Sequence, residues 1–543
     1  MADAVVVGQK LGVTGMAAIG LMLPVYMINC MFAHGFGTGG GVRFSELMAQ
    51  GRRGEALESF RSVIAAALAV SIFTVLAGNI FIDQLLMILG TTPADGALFS
   101  ATKEYVRILV SATPLFYLSN ILNYYLRNDE SYKLTGFGSV LGNIFDIVMN
   151  VVLVIFCGMG MRGAALSTVI GQVVSIAVYI TVFFNKRSTL RLSGGTVRLR
   201  HGFKCFFEGF ATSAQYLYQL VFLLLANNIL IRIGGENGVA VFDLIQNTSY
   251  LILYMYEGTV RGMQPLLSTY QGECNEAGIR RTFAVGTAGG MIVGCVIILC
   301  IAAVPSMMCR LFGINGADIQ PLAYTALRIY GLSAVFAGLN ILISGYYQSC
   351  GMEKPAFLIQ TLRGAVFLIP FTIVFSISGI EFLWWLFPAA ELSSLLVFVL
   401  LRYFGIIKDN KFSSERIFQR IVTSRDMQEL LADIDLFCKK WSVSDRKRYF
   451  AMISVEEICM AIINNGFKDK QNGYIQLTLI ADESGDFELH VRDNATKFNP
   501  FELSVEGSPQ VSLDEAGMLL IKKKSKSFFY RRYHGFNTMS VTI

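Results

Sequence analysis

QGRRGEA at residues 50–56 returns as QGECNEA at residues 271–277, with Gln-Gly and Glu-Ala at identical spacing. Two further landmarks repeat in the same order. Gly90 with Ala94 and Asp95 returns as Gly313 with Ala317 and Asp318. Asn120-Ile121-Leu122 returns as Asn340-Ile341-Leu342, each followed by a tyrosine pair. The offset stays near 221 residues throughout. Any one match is weak, but three in order at one offset mark an internal duplication. Duplicated halves are a common plan among membrane proteins built from repeated helical bundles.

The surroundings of these landmarks are apolar. Charged residues make up roughly a ninth of positions 1–405 and over a quarter of positions 406–543, against about a quarter in ordinary soluble domains. A bilayer core takes about 20 mostly apolar residues per helix. Eleven stretches meet that criterion: 13–38, 59–82, 98–124, 136–157, 163–184, 206–232, 238–260, 283–304, 319–347, 356–379 and 382–404. The chain is therefore expected to be a polytopic α-helical protein of the cell membrane with a soluble tail. Its ten cysteines form no CxxC pair, and its four histidines have no ligand spacing, so neither a zinc site nor a disulfide framework is indicated. The small net positive charge requires no nucleic-acid partner.

Lys and Arg alternate between loops. Arg43, Arg52, Arg53 and Arg61 fall in one; Arg127 and Lys133 in another; Lys186 through Lys204 in a third; Arg261, Arg280 and Arg281 in a fourth. By the positive-inside rule these loops are cytoplasmic, and the tail after 405 with them. The repeat also predicts six helices per half. The second half opens with 206–232, and its counterpart in the first half would run from before residue 1 to about residue 11. The first half is thus expected to lack most of its first span. The expected divisions are an N-lobe over 1–184, a cytoplasmic loop over 185–204, a C-lobe over 205–405, a linker over 406–424 and a soluble domain over 425–543.

Ionisable residues inside apolar runs are costly and tend to face a cavity or a partner. Asp146 interrupts LGNIFDIVMNVVL, with Asn143 one turn before it and Asn150 one turn after. A carboxylate beside amides suits a proton or Na⁺; packing against a neighbouring helix is the simpler reading of the same residues. Asp3 lies in the N-terminal segment. In the second half Glu208, Asp243 and Glu257 interrupt apolar runs, and Glu257 stands one turn from Arg261. An internal ion pair and a substrate contact are both open readings there.

DAVVVGQKLGVTGMAAIGL, QGRRGEALESF, NILNYYLRND, GNIFDIVMN and MRGAALSTVIGQ resemble the MATE (multidrug and toxic compound extrusion) transporter family, over nearly all of residues 1–405. The resemblance implies two six-helix bundles, alternating access, and export driven by a proton or Na⁺ gradient. It places N-lobe coupling acids at Asp3 and Asp146, with Asn143 beside the second.

The tail reads as helices in RDMQELLADIDLFCKKW and KRYFAMISVEEICMAIINNGF, strands near 473–481 and 486–493, a helix at 513–524, and strands near 526–531 and 536–543. SVEEICMAIINNGF, RDNATKFNPFEL and EAGMLLIKKKSKSFFYRRYHGFNTMSVTI resemble the GHKL ATP-binding fold, closest to anti-sigma serine kinases. The resemblance implies an α/β sandwich that binds ATP. Asp493 would accept the adenine amino group, Gly517 would let phosphate approach, and Glu457 would act as base. The family's Mg²⁺-holding Asn falls at Ala461, whose methyl group is no ligand for a hard cation. Ala495 stands where the family has glycine. Weak nucleotide binding or none is therefore expected, with little or no catalysis. The Lys522–Lys526 cluster suits phosphate, anionic lipid or plain solvation.

The leading expectation is a cation-coupled antiporter exporting small, cationic organic molecules, with a degenerate ATP-binding-like regulatory domain. The alternatives are a membrane-anchored sensor whose tail binds a cytosolic regulator, and a lipid-linked-precursor flippase.

Overall fold

The structure is a computed structural model. It describes residues 2–129, 131–184, 188–191, 196–311, 319–407, 416–422, 427–441, 443–467, 473–481, 487–502, 513–533 and 535–542. The side chain of Asp3 and the Gly313–Asp318 landmark lie outside the described residues. The chain forms two compact units. One holds residues 1–45, 54–268 and 280–408; the other holds 46–53, 269–279 and 409–543.

The first unit is all helix. Its first half comprises α1 (Ala2–Ala49), α2 (Arg53–Ile80), α3 (Ile82–Leu89), α4 (Ala97–Ser111), α5 (Thr113–Asn128), α6 (Tyr132–Asn150) and α7 (Gly160–Ile180). Its second half comprises α8 (Leu199–Gly272), α9 (Glu276–Ala303), α10 (Pro305–Leu311), α11 (Gln320–Ser349), α12 (Glu353–Thr361), α13 (Leu368–Ser376), α14 (Ile380–Leu383) and α15 (Leu386–Tyr403). Among the described residues, eight helices are long and apolar enough to cross a bilayer, or ten when each bent pair is one span. The expected eleven included 238–260 separately. That stretch is instead the second leg of α8, which breaks at Gly235 (φ 56°). Asp243, Glu257 and Arg261 dilute its apolar character.

The duplication is visible in the helix ends. The α1–α2 turn falls at residues 50–52 and the α8–α9 turn at 273–275, so both copies of the opening motif mark a helix-to-helix turn. The halves differ where the sequence does. The first half bends by 48° between α4 and α5, where Pro114 enters the first turn of α5 and removes a backbone donor. α11 carries no proline at the corresponding point and continues as one helix for 30 residues. The N-terminal segment is packed: Val6 and Val7 join Met22, Val106, Val154 and Ala165 in one buried cluster. Large apolar side chains on the outer faces, such as Phe73 and Leu76 on α2 and Ile292 and Leu299 on α9, are exposed. Lipid satisfies such surfaces, and intrahelical bonds satisfy the backbone polar groups along these helices.

Close crossings replace hydrophobic burial as the packing device. A methyl group on Gly142 of α6 would lie 2.0 Å from Ser175 Oγ and 2.7 Å from the Gly171 carbonyl of α7. One on Gly39 of α1 would lie 1.8 Å from the Cys205 carbonyl of α8, and one on Gly209 would lie 2.1 Å from the Gly35 carbonyl. Glycine is required at these positions because the opposing atoms are backbone.

The second unit contains a five-stranded antiparallel sheet in the order β1-β2-β3-β5-β4. Its strands are β1 (Ile417–Val422), β2 (Ile475–Ala481), β3 (Phe487–Asp493), β4 (Ser527–Tyr533) and β5 (Phe536–Thr542). Helices α16 (Met427–Lys440), α17 (Asp445–Ala461) and α18 (Leu513–Lys524) share a core with it. Leu430, Ile434, Val455, Ile458, Met518 and Ile521 pack with Leu477, Leu489, Val491 and Met539. Each such side chain contributes about 2 kcal/mol when fully buried. The helices and strands expected after residue 425 are all present. β1 corrects the reading of 406–424 as linker: residues 417–422 pair with Ile475–Ile480 of β2.

Candidate functional site

The α8 legs, α11, α12–α13 and α15 surround a cavity of about 180 Å³ within the second half. Tyr216, Tyr250, Tyr254 and Tyr330 supply aromatic walls, and Glu257, Arg363 and Glu391 supply charge. Tyr250 and Tyr254 stack at 5.6 Å, one turn apart on α8. Arg363 donates from Nη2 to Glu391 Oε1 at 2.7 Å and from Nε to both carboxylate oxygens at 3.2 Å. This two-pronged geometry is the strong form of the pair. Asn340, the repeat landmark, donates from Nδ2 to Glu391 Oε2 at 2.8 Å. Arg363 sits in a π-helical turn, Leu362–Phe367, that joins α12 to α13. Such turns re-aim side chains and recur at functional sites.

A second space of about 60 Å³ lies beside the first and is lined by residues of both halves: His34 and Tyr124 from the first, Tyr216, Glu257 and Arg261 from the second. His34 Nδ1 is 3.0 Å from Tyr124 Oη, and the His34 ring stacks on Tyr216 at 5.2 Å. Glu257 lines both spaces, and Arg261 Nη2 lies 3.3 Å from its Oε2. The ion pair left open in the sequence is present, and it stands in the cavity wall. Glu208 lines neither space. Its carboxylate is 3.9 Å from Lys204 Nζ, and its carbonyl accepts from Gln348 Nε2 at 2.6 Å. Asp243 is exposed.

In the first half, Gly138, Gly142 and Asp146 follow one another at four-residue steps on the face of α6 that meets α7. A methyl on Gly171 would lie 2.9 Å from Asp146 Cβ. The carboxylate is half-buried at this seam, Asn150 is fully buried and Asn143 is exposed. At about 100° and 1.5 Å per residue the three side chains lie within about 60° of one another, while Asn143 and Asn150 stand about 10 Å apart along the axis, so the exposure of Asn143 is set by its height on α6 and not by its facing. A π-helical turn follows at once, Val151–Phe156. The sequence reading missed Arg363 and Glu391, although both interrupt apolar runs in the way that flagged Asp146 and Glu257.

In the second unit Glu457 and Gly517, 60 positions apart, come together. A methyl on Gly517 would lie 2.2 Å from the Glu457 carboxyl carbon. Asp493 is fully buried at the end of β3. Its Oδ1 accepts from Ala495 N at 2.9 Å and from Asn537 Nδ2 at 2.8 Å. Burial pushes the neighbouring Cys459 thiol up to about 12, and the Asp493 charge adds to the shift. Thr496 donates from N and Oγ1 to the Gly466 carbonyl at 3.1 and 3.0 Å. These contacts tie the loop after β3 to the end of α17. A Mg²⁺–nucleotide does not fit the side chains present. Ala461 is buried and offers only a methyl group. Asn465 turns its Nδ2 back to the Ala461 carbonyl at 3.1 Å, and Asn464 is exposed. The Glu457 carboxylate fills the space over Gly517, and its negative charge would repel a phosphate there.

Similar proteins bear on the first unit. A multidrug export protein MepA of Staphylococcus saprophyticus is 24% identical over 403 residues, covering 71% of this chain and 86% of its own. One from Staphylococcus aureus is 25% identical over 404 residues with the same coverage. A solved multidrug resistance MATE family transporter of the MOP superfamily, in an outward-facing conformation, superposes with a TM-score of 0.69 at 21% identity. That match covers 75% of this chain and 90% of the transporter. An inward-facing structure of such a transporter gives 0.59 at 21% identity, covering 75% and 93%. At these identities the superpositions establish the fold, that of a polytopic membrane protein. Residues 1–152 and 209–374, more than half of the chain, match the MatE family model, and the protein belongs to that family.

Proposed function

We propose that residues 1–405 form a cation-coupled antiporter that exports small, cationic organic compounds by alternating access, driven by H⁺ or Na⁺. Glu257 carries this reading. It stands in the wall common to a tyrosine-lined cavity and to the space between the two halves. Aromatic faces attract organic cations, the more so where water is excluded, and a carboxylate at the junction completes such a site. The multidrug export proteins that the chain resembles support the same direction. A flippase for anionic lipid-linked precursors would favour unpaired cations, whereas Arg363 in this cavity and Arg261 in the space beside it each face a carboxylate.

The coupling acid is Asp146, with Asn143 and Asp3 as its accompanying residues. A bound cation drives export only by favouring one orientation of the halves over the other. Asp146 sits where two helices meet at glycines, so a change in its charge state acts on the packing of that seam. The tail is a cytosolic regulatory module of GHKL type. Asp493 and Gly517 stand at the family's nucleotide-contact positions and Glu457 at that of its base, in a degenerate site that binds nucleotide weakly or not at all.

Proteoliposomes with an imposed pH or Na⁺ gradient test the reading. Uptake of a fluorescent organic cation is expected to require the gradient, and removal of residues 406–543 is expected to change its rate. Gradient-independent uptake in the intact protein would reject the antiporter. ATP hydrolysis by the purified full chain is expected to stay at the level of buffer. Ala461→Asn is expected to tighten Mg²⁺-dependent binding of a fluorescent ATP analogue by about tenfold, an effect of roughly 1.4 kcal/mol. Robust hydrolysis by the wild type would show that the site is intact.

A further inference from the structure

The second unit contains more than the tail. Residues 46–53 and 269–279 belong to it, and these are the two copies of the motif on which the duplication was recognised. One turn continues into helices of the first half and the other into helices of the second. Both meet the face of the sheet that points away from α16–α18.

That face is polar yet buried. Thr478, His490, Arg492, Thr538 and Ser540 alternate with the core residues of β2, β3 and β5, and each is at most 9% exposed. Arg492 Nη1 lies 3.3 Å from Glu273 Oε2, and both side chains are at least nine-tenths buried. The guanidinium lies 4.7 Å from the Tyr270 ring centre and 4.6 Å from that of Phe536. Burial disfavours its charge, but Glu273 and Tyr270 more than offset this and raise its pKa. Gln419 of β1 donates to Asn275 Oδ1 at 3.0 Å. On the other turn, Gly51 has φ +76°, and a methyl there would lie 2.8 Å from Ser540 Oγ and 3.0 Å from Phe529 Cβ. One sheet face thus holds a turn from each half.

We infer that this face is a clamp: by gripping both repeat-related turns at once, the tail restrains the movement of one half against the other and slows transport until it is released. The inference rests on the reading of residues 1–405 as an exporter that works by relative motion of its halves. Rocking of one repeat against the other changes the separation of equivalent turns, and a hydrogen-bonded sheet does not stretch to follow them. The Glu273–Arg492 pair is its catch. Losing either partner leaves a buried charge without its counter-ion, which is strongly unfavourable.

Three full-length variants test it: Glu273→Arg, Arg492→Glu and the two combined. Each is read by gradient-driven uptake and by amide hydrogen exchange over 46–53 and 269–279. Each single variant is expected to raise exchange in both turns and to speed uptake by roughly fivefold, the lower end of ordinary coupling between sites. The combined reversal is expected to restore protection and the slow rate. Should Arg492→Glu fail to fold, Glu273→Arg, which lies on the turn rather than in the sheet, decides alone. Unprotected turns in the wild type, or exchange unchanged in Glu273→Arg, would overturn the docking. Raised exchange with an equal or lower rate would overturn the restraint. Absence of uptake in every form, including the tail deletion, would reject the exporter reading, and the exchange result would still decide the docking.

Discussion

Asp146→Asn is expected to reduce gradient-driven uptake to the gradient-independent leak, a loss of about tenfold to a hundredfold, equivalent to ordinary coupling free energies. Expression and fluorescence-monitored substrate binding are expected to stay at wild-type levels. The substitution keeps shape and hydrogen bonding but removes the ability to exchange a charge. The position makes the effect large. Asp146 is half-buried at the α6–α7 seam, opposite Gly171, which leaves no side chain to cushion a rearrangement. A lone acid on a lipid-facing surface would have no such leverage. Wild-type uptake rates in this variant, measured under the same gradient, would remove Asp146 from the coupling mechanism.

Arg363→Leu is expected to destabilise the protein by about 3 kcal/mol, the lower end for breaking a buried pair. The two side chains are 13% and 16% exposed toward the cavity, so some solvent relief remains. Glu391 would keep its bond from Asn340 but lose the guanidinium that balances its charge. Combining Arg363→Leu with Glu391→Leu is expected to recover most of the loss, because no uncompensated charge then remains. Thermal unfolding in detergent, followed by tryptophan fluorescence, separates the cases. A single variant as stable as the wild type would show that the pair is not structural. A double variant less stable than the single one would show that the carboxylate has another essential partner.

Much of the plan was legible in residue order. The two copies of the Gln-Gly…Glu-Ala motif located equivalent turns, and the change of charge density near residue 405 located the tail that carries the sheet. Asp146 and Glu257 stood out because a carboxylate among apolar neighbours is costly wherever the helix ends up. Other features were not legible. Ile417–Val422 reads as part of a polar stretch, and its strand character comes from pairing with β2, which begins 58 residues later. The span count shifted because α8 continues through Gly235 as one element with a break. Asn143 shares the stripe of Asp146 and Asn150 yet is exposed, since helical spacing fixes which way a side chain faces but not what packs against it at its own height on α6.

Local composition determined which segments enter lipid, which form the tail, and where charge is stranded in an apolar run. Those properties depend on the solvent each residue meets, and hydropathy and periodicity report it directly. Tertiary structure alone decided the remote ion pairs: Arg363 with Glu391, and Glu273 with Arg492 across 219 positions. An ion pair or a close contact depends on distances of a few ångströms between remote parts of the chain, and nothing in the order of residues encodes such a distance until the helices and strands have packed.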